Sequence, residues 1–256
     1  MNEAPSTEII FIGTIHSGHF EAKHYTAQAV KDILLALKPD AICVEACTKH
    51  LNPDGTLRKE VLEDCRDTPE VYAANEAAMG LGIRQIPFEH EGRDEIYTET
   101  NYFERERKAM EATDKWGDWL QANRRDSNDY RLTYALASAC ESQGQLNARA
   151  TPDIVNSRGY DAVVWIKHNL IHHVIPEVMR DYPEMHESAE FLRLTGWVWD
   201  ERNRIMAENL MQVAADSRGG RLVVVTGAEH RYILRELLSE KPGIVLREYW
   251  EVLGDG

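Results

Sequence analysis

The chain is short of cysteine, of basic residues and of long apolar runs, and each shortage removes a class of function. Four cysteines in 256 residues do not make a disulfide framework. Cys43 falls inside an apolar run and reads as a small core residue, and Cys43 and Cys47 lack the second close pair of a zinc knuckle. Lys and Arg number 29 against 43 Asp and Glu, a formal net charge of -14. Such a field repels phosphate backbones and anionic lipid heads, which disfavours nucleic-acid and membrane-surface binding and favours cations near acidic clefts. The same acidity also serves solubility alone. No apolar run approaches the ~20 residues of a membrane span. The first residues, Met1 to Glu8, carry no basic leader, and Ile9 to Ile12 is too short for a signal peptide. These features predict a cytoplasmic protein with reduced thiols. Also missing are a phosphate loop, a dinucleotide fingerprint and the Gly-x-Ser-x-Gly elbow of a serine nucleophile.

What is present alternates between strand and helix. Ile9-Ile10-Phe11-Ile12, ending in Gly13, is the continuous run of a strand buried on both faces. Ala29, Val30, Ile33, Leu34 and Leu37 keep helical spacing up to Pro39, and Asp40 to Glu45 is a second short strand, so the two strands are expected to be parallel. Thr68-Pro69-Glu70 reads as a helix start, that helix runs to the glycines at 80 and 82, and Ile83 to Phe88 is a third strand. Helices are expected over 101–122, 129–147, 159–181 and 199–217, their aromatics (Trp116, Trp119, Tyr130, Tyr134, Trp165, Trp197, Trp199) packed as core. The sheet resumes at Arg221 to Thr226, followed by a helix from Glu229 to Ser239 and a last strand, Ile244 to Arg247. The expected fold class is α/β: a mostly parallel sheet with helices on both faces and a large helical insertion, about residues 97–217, inside one domain spanning 1–256.

Ligands of an open parallel sheet bind beyond the carboxyl ends of its strands. Three strand ends here bear functional groups: His16 in Gly13-Thr14-Ile15-His16, Glu45, and His230 in Gly227-Ala228-Glu229-His230. The two glycines are expected to let the chain turn sharply there. His230 falls in a first helical turn, where the dipole disfavours an imidazolium and keeps the ring neutral. A neutral imidazole can ligate a metal or accept a proton, and Glu45 can ligate or orient. His19 lies close enough in sequence to assist His16. Arg202 shares an apolar stripe with Trp199, Met206, Leu210 and Val213, and wants a carboxylate or an anionic substrate group. That partner makes either a structural ion pair or a catalytic contact. His168 and His172 are spaced i, i+4, which suits either a metal pair or ordinary helix packing.

The strand leading to Gly13-Thr14-Ile15-His16, the following helix and the strand ending Val44-Glu45 resemble the opening of the TraB/PrgY, GumN and TIKI group. Glu201-Arg202, the next strand and Gly227-Ala228-Glu229-His230 resemble its closing segment. Erythromycin esterases and the haem-binding ChaN proteins are similar at the level of fold. The likeness covers roughly residues 8–90 and 196–250. It implies metal-dependent peptide hydrolysis around His16, Glu45 and His230, with Arg202 in the group's arginine position. Glu229 departs from the group, which often has a small residue there, and could add a ligand or occupy substrate space. The esterase branch works with a histidine base alone, so the resemblance speaks for hydrolysis more than for a metal.

Two functions follow as expectations. The first is a hydrolase of an amide or ester bond acting on a small molecule or peptide. In it Mn²⁺, Co²⁺ or Zn²⁺ on His16, Glu45, His230 and Glu229 activates water, or, without metal, His16 is the base and Arg202 the oxyanion partner. The second is a non-catalytic module binding a protein partner or haem on the same fold.

Overall fold

The computed structural model describes residues 5–64 and 68–254. It contains a five-stranded, all-parallel sheet with helices on both faces, the predicted fold class. The strands are β1 (Thr7–Thr14), β2 (Ala41–Val44), β3 (Gln85–Pro87), β4 (Arg221–Gly227) and β5 (Ile244–Arg247), in the order β3-β2-β4-β1-β5. The helices are α1 (Ala27–Leu37), α2 (Lys59–Asp64), α3 (Pro69–Leu81), α4 (Arg93–Glu99), α5 (Tyr102–Asn123), α6 (Asn128–Ala148), α7 (Pro152–Val155), α8 (Arg158–Asn169), α9 (Ile175–Met179), α10 (His186–Asp216), α11 (Ala228–Leu238) and α12 (Tyr249–Gly254).

The chain divides into two compact units. The first comprises residues 1–91, 146–161 and 203–256, the second 92–145 and 162–202. The segment expected as a helical insertion is thus split: 146–161 and 203–217 belong with the sheet.

In the first unit β4 is the central strand, flanked by β2 and β1, and it pairs with β1 from Glu8 with Arg221 to Thr14 with Gly227. Their side chains alternate between two covered faces. Ile9, Phe11, Cys43, Leu222 and Val224 pack with Met206 and Leu210 of α10 and with Leu234 and Leu238 of α11. The alternate residues Ile10, Ile12, Ile42 and Val223 are equally buried, on the face where α3 lies against the sheet and α1 packs on α3. Local chemistry sets the helix limits. The Thr26 hydroxyl accepts from the Ala29 N–H at 3.2 Å at the start of α1. Pro69 opens α3, and Gly82, with φ of 68°, closes it in the left-handed conformation that glycine tolerates.

The second unit has its own core, built from Trp116, Leu120, Leu136, Ile175, Met179, Met185 and Phe191. Two expectations for it are corrected. The helix expected over 159–181 is broken into α8, a π turn at Leu170–Val174, and α9. Pro176 has no N–H to return to the His172 carbonyl, so the turn before it widens. Trp119, Tyr134, Trp165 and Trp197 are exposed rather than core. Each adjoins the buried residue of its turn (Leu120, Thr133, Val164 and Val198 respectively), and one residue rotates a helical side chain by about 100°. Among the described residues no helix is long and apolar enough to cross a membrane.

Candidate active site at the carboxyl edge of the sheet

Because every strand is parallel, all carboxyl ends lie along one edge, and His16, Glu45 and His230 follow the ends of β1, β2 and β4 there. The two Gly-x-x-His turns interlock. A methyl built on Gly227 would sit 2.6 Å from His16 Nε2 and 3.7 Å from Glu45 Oε2, and one on Gly13 would meet Ala228 Cα at 3.1 Å and the Arg231 side chain at 3.2 Å. Each glycine makes room for the other turn. Neither adopts a positive φ, so the expected sharp-turn role is corrected to close packing. The left-handed residue is His16 itself, φ 48°, a conformation that costs a non-glycine residue about 1 kcal/mol or more and persists where surroundings hold it.

The ring of His16 is held by a residue that sequence reasoning missed. His16 Nδ1–H donates to Glu70 Oε1 at 2.6 Å. Glu70 stands in the first turn of α3 with its side chain only 4% exposed, against 49% for His16. The second oxygen, Glu70 Oε2, is buried without a hydrogen-bond partner among the described residues. Burial alone would lower the His16 pKa. The hydrogen bond that His16 donates to Glu70 and the charges of Glu45, Glu70 and Glu229 outweigh it and raise the ring to about 9. Glu229, in the first turn of α11, therefore faces His16 electrostatically.

Glu45 is fixed to the end of β4. Its Oε2 accepts from the Thr226 hydroxyl at 2.7 Å and from the Gly227 N–H at 2.8 Å. Its Oε1 lies 3.7 Å from His230 Nε2. His230 is buried, and its Nδ1 is 2.7 Å from Asn203 Oδ1. The carboxamide oxygen only accepts, so Nδ1 carries a ring proton. Asn203, fully buried on α10, is the second residue that sequence reasoning missed. It directly follows Arg202, and its burial was the one property that no motif announced. Glu70 was visible only as an acid at a helix start.

His19 does not assist as a proton carrier. It is buried, its Nδ1–H donates to the Tyr25 carbonyl at 2.6 Å, and its Nε2 accepts from the Ile15 N–H at 3.2 Å. Burial holds its pKa below the ordinary histidine value. Arg202 lies on α10 within the second unit, so the sheet-edge cluster of the first unit consists of His16, Glu45, Glu70, Asn203, Glu229 and His230. His168 and His172 also belong to the second unit. Their ring centroids are 5.5 Å apart, Trp199 contacts both, and His172 Nδ1 is 3.3 Å from Thr195 Oγ1. With Trp199 they form an aromatic cluster.

Among the described residues, no group of three or more His, Cys, Asp or Glu side chains is placed to hold a metal ion. The donor chemistry of the sheet edge nevertheless suits one. Two imidazoles, each backed at Nδ1 by an acceptor and flanked by a carboxylate, are the ligand and outer-shell pattern of a divalent transition metal. Of the cysteines, Cys43 is buried as expected, its thiol pushed up to about 12 by burial. Cys47 is also buried and Cys140 is exposed, while Cys65 lies outside the described residues.

Compared with family models, curated proteins and solved structures, the chain matches none.

Proposed function

We propose that this chain is a hydrolase of an amide (peptide) or ester bond, of the TraB/PrgY–GumN–TIKI kind, with its reacting centre at the carboxyl edge of the sheet. One observation carries the reading: two imidazoles at neighbouring strand ends are each oriented from behind, His16 by Glu70 at 2.6 Å and His230 by Asn203 at 2.7 Å. In each ring the opposite nitrogen, Nε2, is the working atom in this reading, and Glu45 stands beside both turns.

The charges around His16 divide the labour. With its pKa raised to about 9, His16 is an imidazolium at neutral pH and gives a proton from Nε2. His230, its Nδ1 proton committed to Asn203, accepts one at Nε2. In hydrolysis, water adds to the carbonyl carbon as His230 takes its proton, and the C–N or C–O bond breaks as the leaving atom takes the His16 proton. Glu45, 3.7 Å from His230 Nε2, offsets the positive charge formed on that ring. This reverses the base role that the sequence alone suggests for His16. In the metal-dependent form of the reaction, which replaces these proton-transfer roles, both rings would be neutral with Nε2 unprotonated, and a divalent Mn, Co or Zn ion held by His16, Glu45, His230 and Glu229 would lower the pKa of a bound water and polarise the scissile carbonyl. The partner is a small-molecule or peptide substrate, not a nucleic acid or a membrane, and the protein works in the cytoplasm.

The test is hydrolysis of short peptides and aryl esters before and after chelation, with metal content measured on the same samples. Turnover is expected to fall at least about 100-fold in both His16→Ala and His230→Ala. Folded variants that both turn over like the wild type would overturn the reading. A haem Soret band with no turnover would replace it with the binding-module alternative.

A further inference from the structure

His16 is left-handed and half exposed, yet it stands at the centre of the cluster, so something must hold the turn that carries it. Backbone pairing ends with β1 at Thr14, and side chains take over. The Gly13 N–H donates to Asn156 Oδ1 at 2.7 Å. The Gly13 carbonyl accepts from the Tyr25 hydroxyl at 2.5 Å, and Asn156 Nδ2 donates to that hydroxyl at 3.3 Å and to the Pro152 carbonyl at 2.9 Å. Beyond the turn, the Ile15 N–H donates to His19 Nε2, and His19 returns to the Tyr25 carbonyl. Asn156 and Tyr25 are both fully buried, so these bonds form in a medium where a lost partner is costly. The peptide groups on both sides of Thr14 are thus fixed by Asn156, Tyr25 and His19.

Asn156 arrives on a segment with no strand of its own. Residues 146–161 pack with the sheet, although the chain enters them from the second unit and returns to it. Among the described residues, these side-chain ties hold the segment: Asn156 to Gly13 and Tyr25, Asp153 to the Tyr249 hydroxyl, and Asp161 to Arg231. Only the first reaches the strand that bears His16.

We infer that Asn156 is a positioning residue for His16, and that segment 146–161 is the brace that sets the Gly13–His16 turn through the Asn156–Gly13–Tyr25 hydrogen bonds. The inference rests on His16 being the reacting group, as proposed above, but its structural content is measured without turnover. In Asn156→Ala, amide exchange at Gly13 and Ile15 is expected to rise about 10-fold or more. The low-field proton of the His16 Nδ1–H···Glu70 bond is expected to broaden or vanish. If the protein hydrolyses substrate, kcat should fall about 10-fold with KM within about twofold. Tyr249→Phe removes a different tie of the same segment and should lower stability while leaving the His16 proton in place. Should Asn156→Ala not fold, Tyr25→Phe removes only the hydroxyl on the Gly13 carbonyl and should produce the same exchange and proton changes on a smaller scale. A folded Asn156→Ala or Tyr25→Phe that keeps the Gly13 protection and the His16 proton overturns the inference. So does a Tyr249→Phe variant that loses the proton equally. If the wild type has no hydrolytic activity, exchange and the low-field proton still decide the brace, while the reaction fails by itself.

Discussion

Glu70→Gln isolates the charge behind His16 without removing the hydrogen-bond acceptor. The amide oxygen can still receive the Nδ1–H that Glu70 Oε1 receives at 2.6 Å, but the site loses one of the three carboxylates that raise the ring to about 9. A hydrogen bond to a charged partner is worth about 1.5–3 kcal/mol, and one pKa unit is about 1.36 kcal/mol. With the acceptor retained and Glu45 and Glu229 still in place, a fall of about 1 unit is expected. The assay is a pH titration of histidine ring nitrogens by NMR in chelator-treated protein, His16 being assigned by its absence in His16→Ala. The shift also has a sign for stability. The folded pKa lies above the unfolded value of 6.5, so the contribution of His16 is fully present below that value and is lost as pH rises through about 9. The outer edge of the ring faces solvent, which screens the interaction, so the loss is expected to be about 1 kcal/mol. Urea titrations at both ends of that window should show it in the wild type and less of it in Glu70→Gln. A wild-type His16 titrating at or below 6.5, or a value unmoved by Glu70→Gln, would refute the reasoning.

Gly227→Ala should push the His16 ring off Glu70, because the new methyl would meet Nε2 at 2.6 Å. The expected cost is about 1–3 kcal/mol of stability with loss of hydrolysis, and unchanged melting and activity would contradict the interlock. Asn203→Leu removes the acceptor on His230 Nδ1 and should lower kcat by about 10- to 100-fold; a kcat at the wild-type level would mean that something else orients the ring. Arg231→Met leaves Asp161 and Glu248 without the fully buried guanidinium that joins them. Urea unfolding should then report about 3–5 kcal/mol of destabilisation, largely recovered when Asp161→Asn and Glu248→Gln are added. If the triple variant is no more stable than the single one, the two carboxylates are not what makes the arginine necessary.

The sheet was legible because its central strands are buried on both faces and so are written as unbroken apolar runs, Ile9 to Ile12 and Leu222 to Val225. The short helices α2, α4 and α12 were not legible, since one or two turns carry too few positions to establish a period. The π turn before Pro176 interrupts a helix whose apolar spacing continues through it, so periodicity alone runs straight across the break. At the site, His16, Glu45 and His230 were readable from one rule, that parallel strands deliver their carboxyl ends to one edge. Glu70 and Asn203 obey no such rule. They reach His16 and His230 across 54 and 27 residues of chain, and those distances close only once α3 and α10 are laid against the sheet.

The two glycines show why a motif can be found correctly and explained wrongly. A Gly-x-x-His turn read alone suggests backbone freedom, the usual reason for glycine at the end of a strand. In the folded chain the reason lies in the other turn: Gly227 leaves room for the His16 ring, and Gly13 for the start of α11. The pairing of β1 with β4 brings this about, setting Thr14 opposite Gly227 and Gly13 opposite Thr226. Strand register thus converts two sequence motifs, more than two hundred residues apart, into one packing unit. A single such turn would lack the partner that makes its glycine necessary. The pair, together with the Glu70 carboxylate and the Asn203 carboxamide that orient its rings, is therefore what separates this edge from an ordinary strand end.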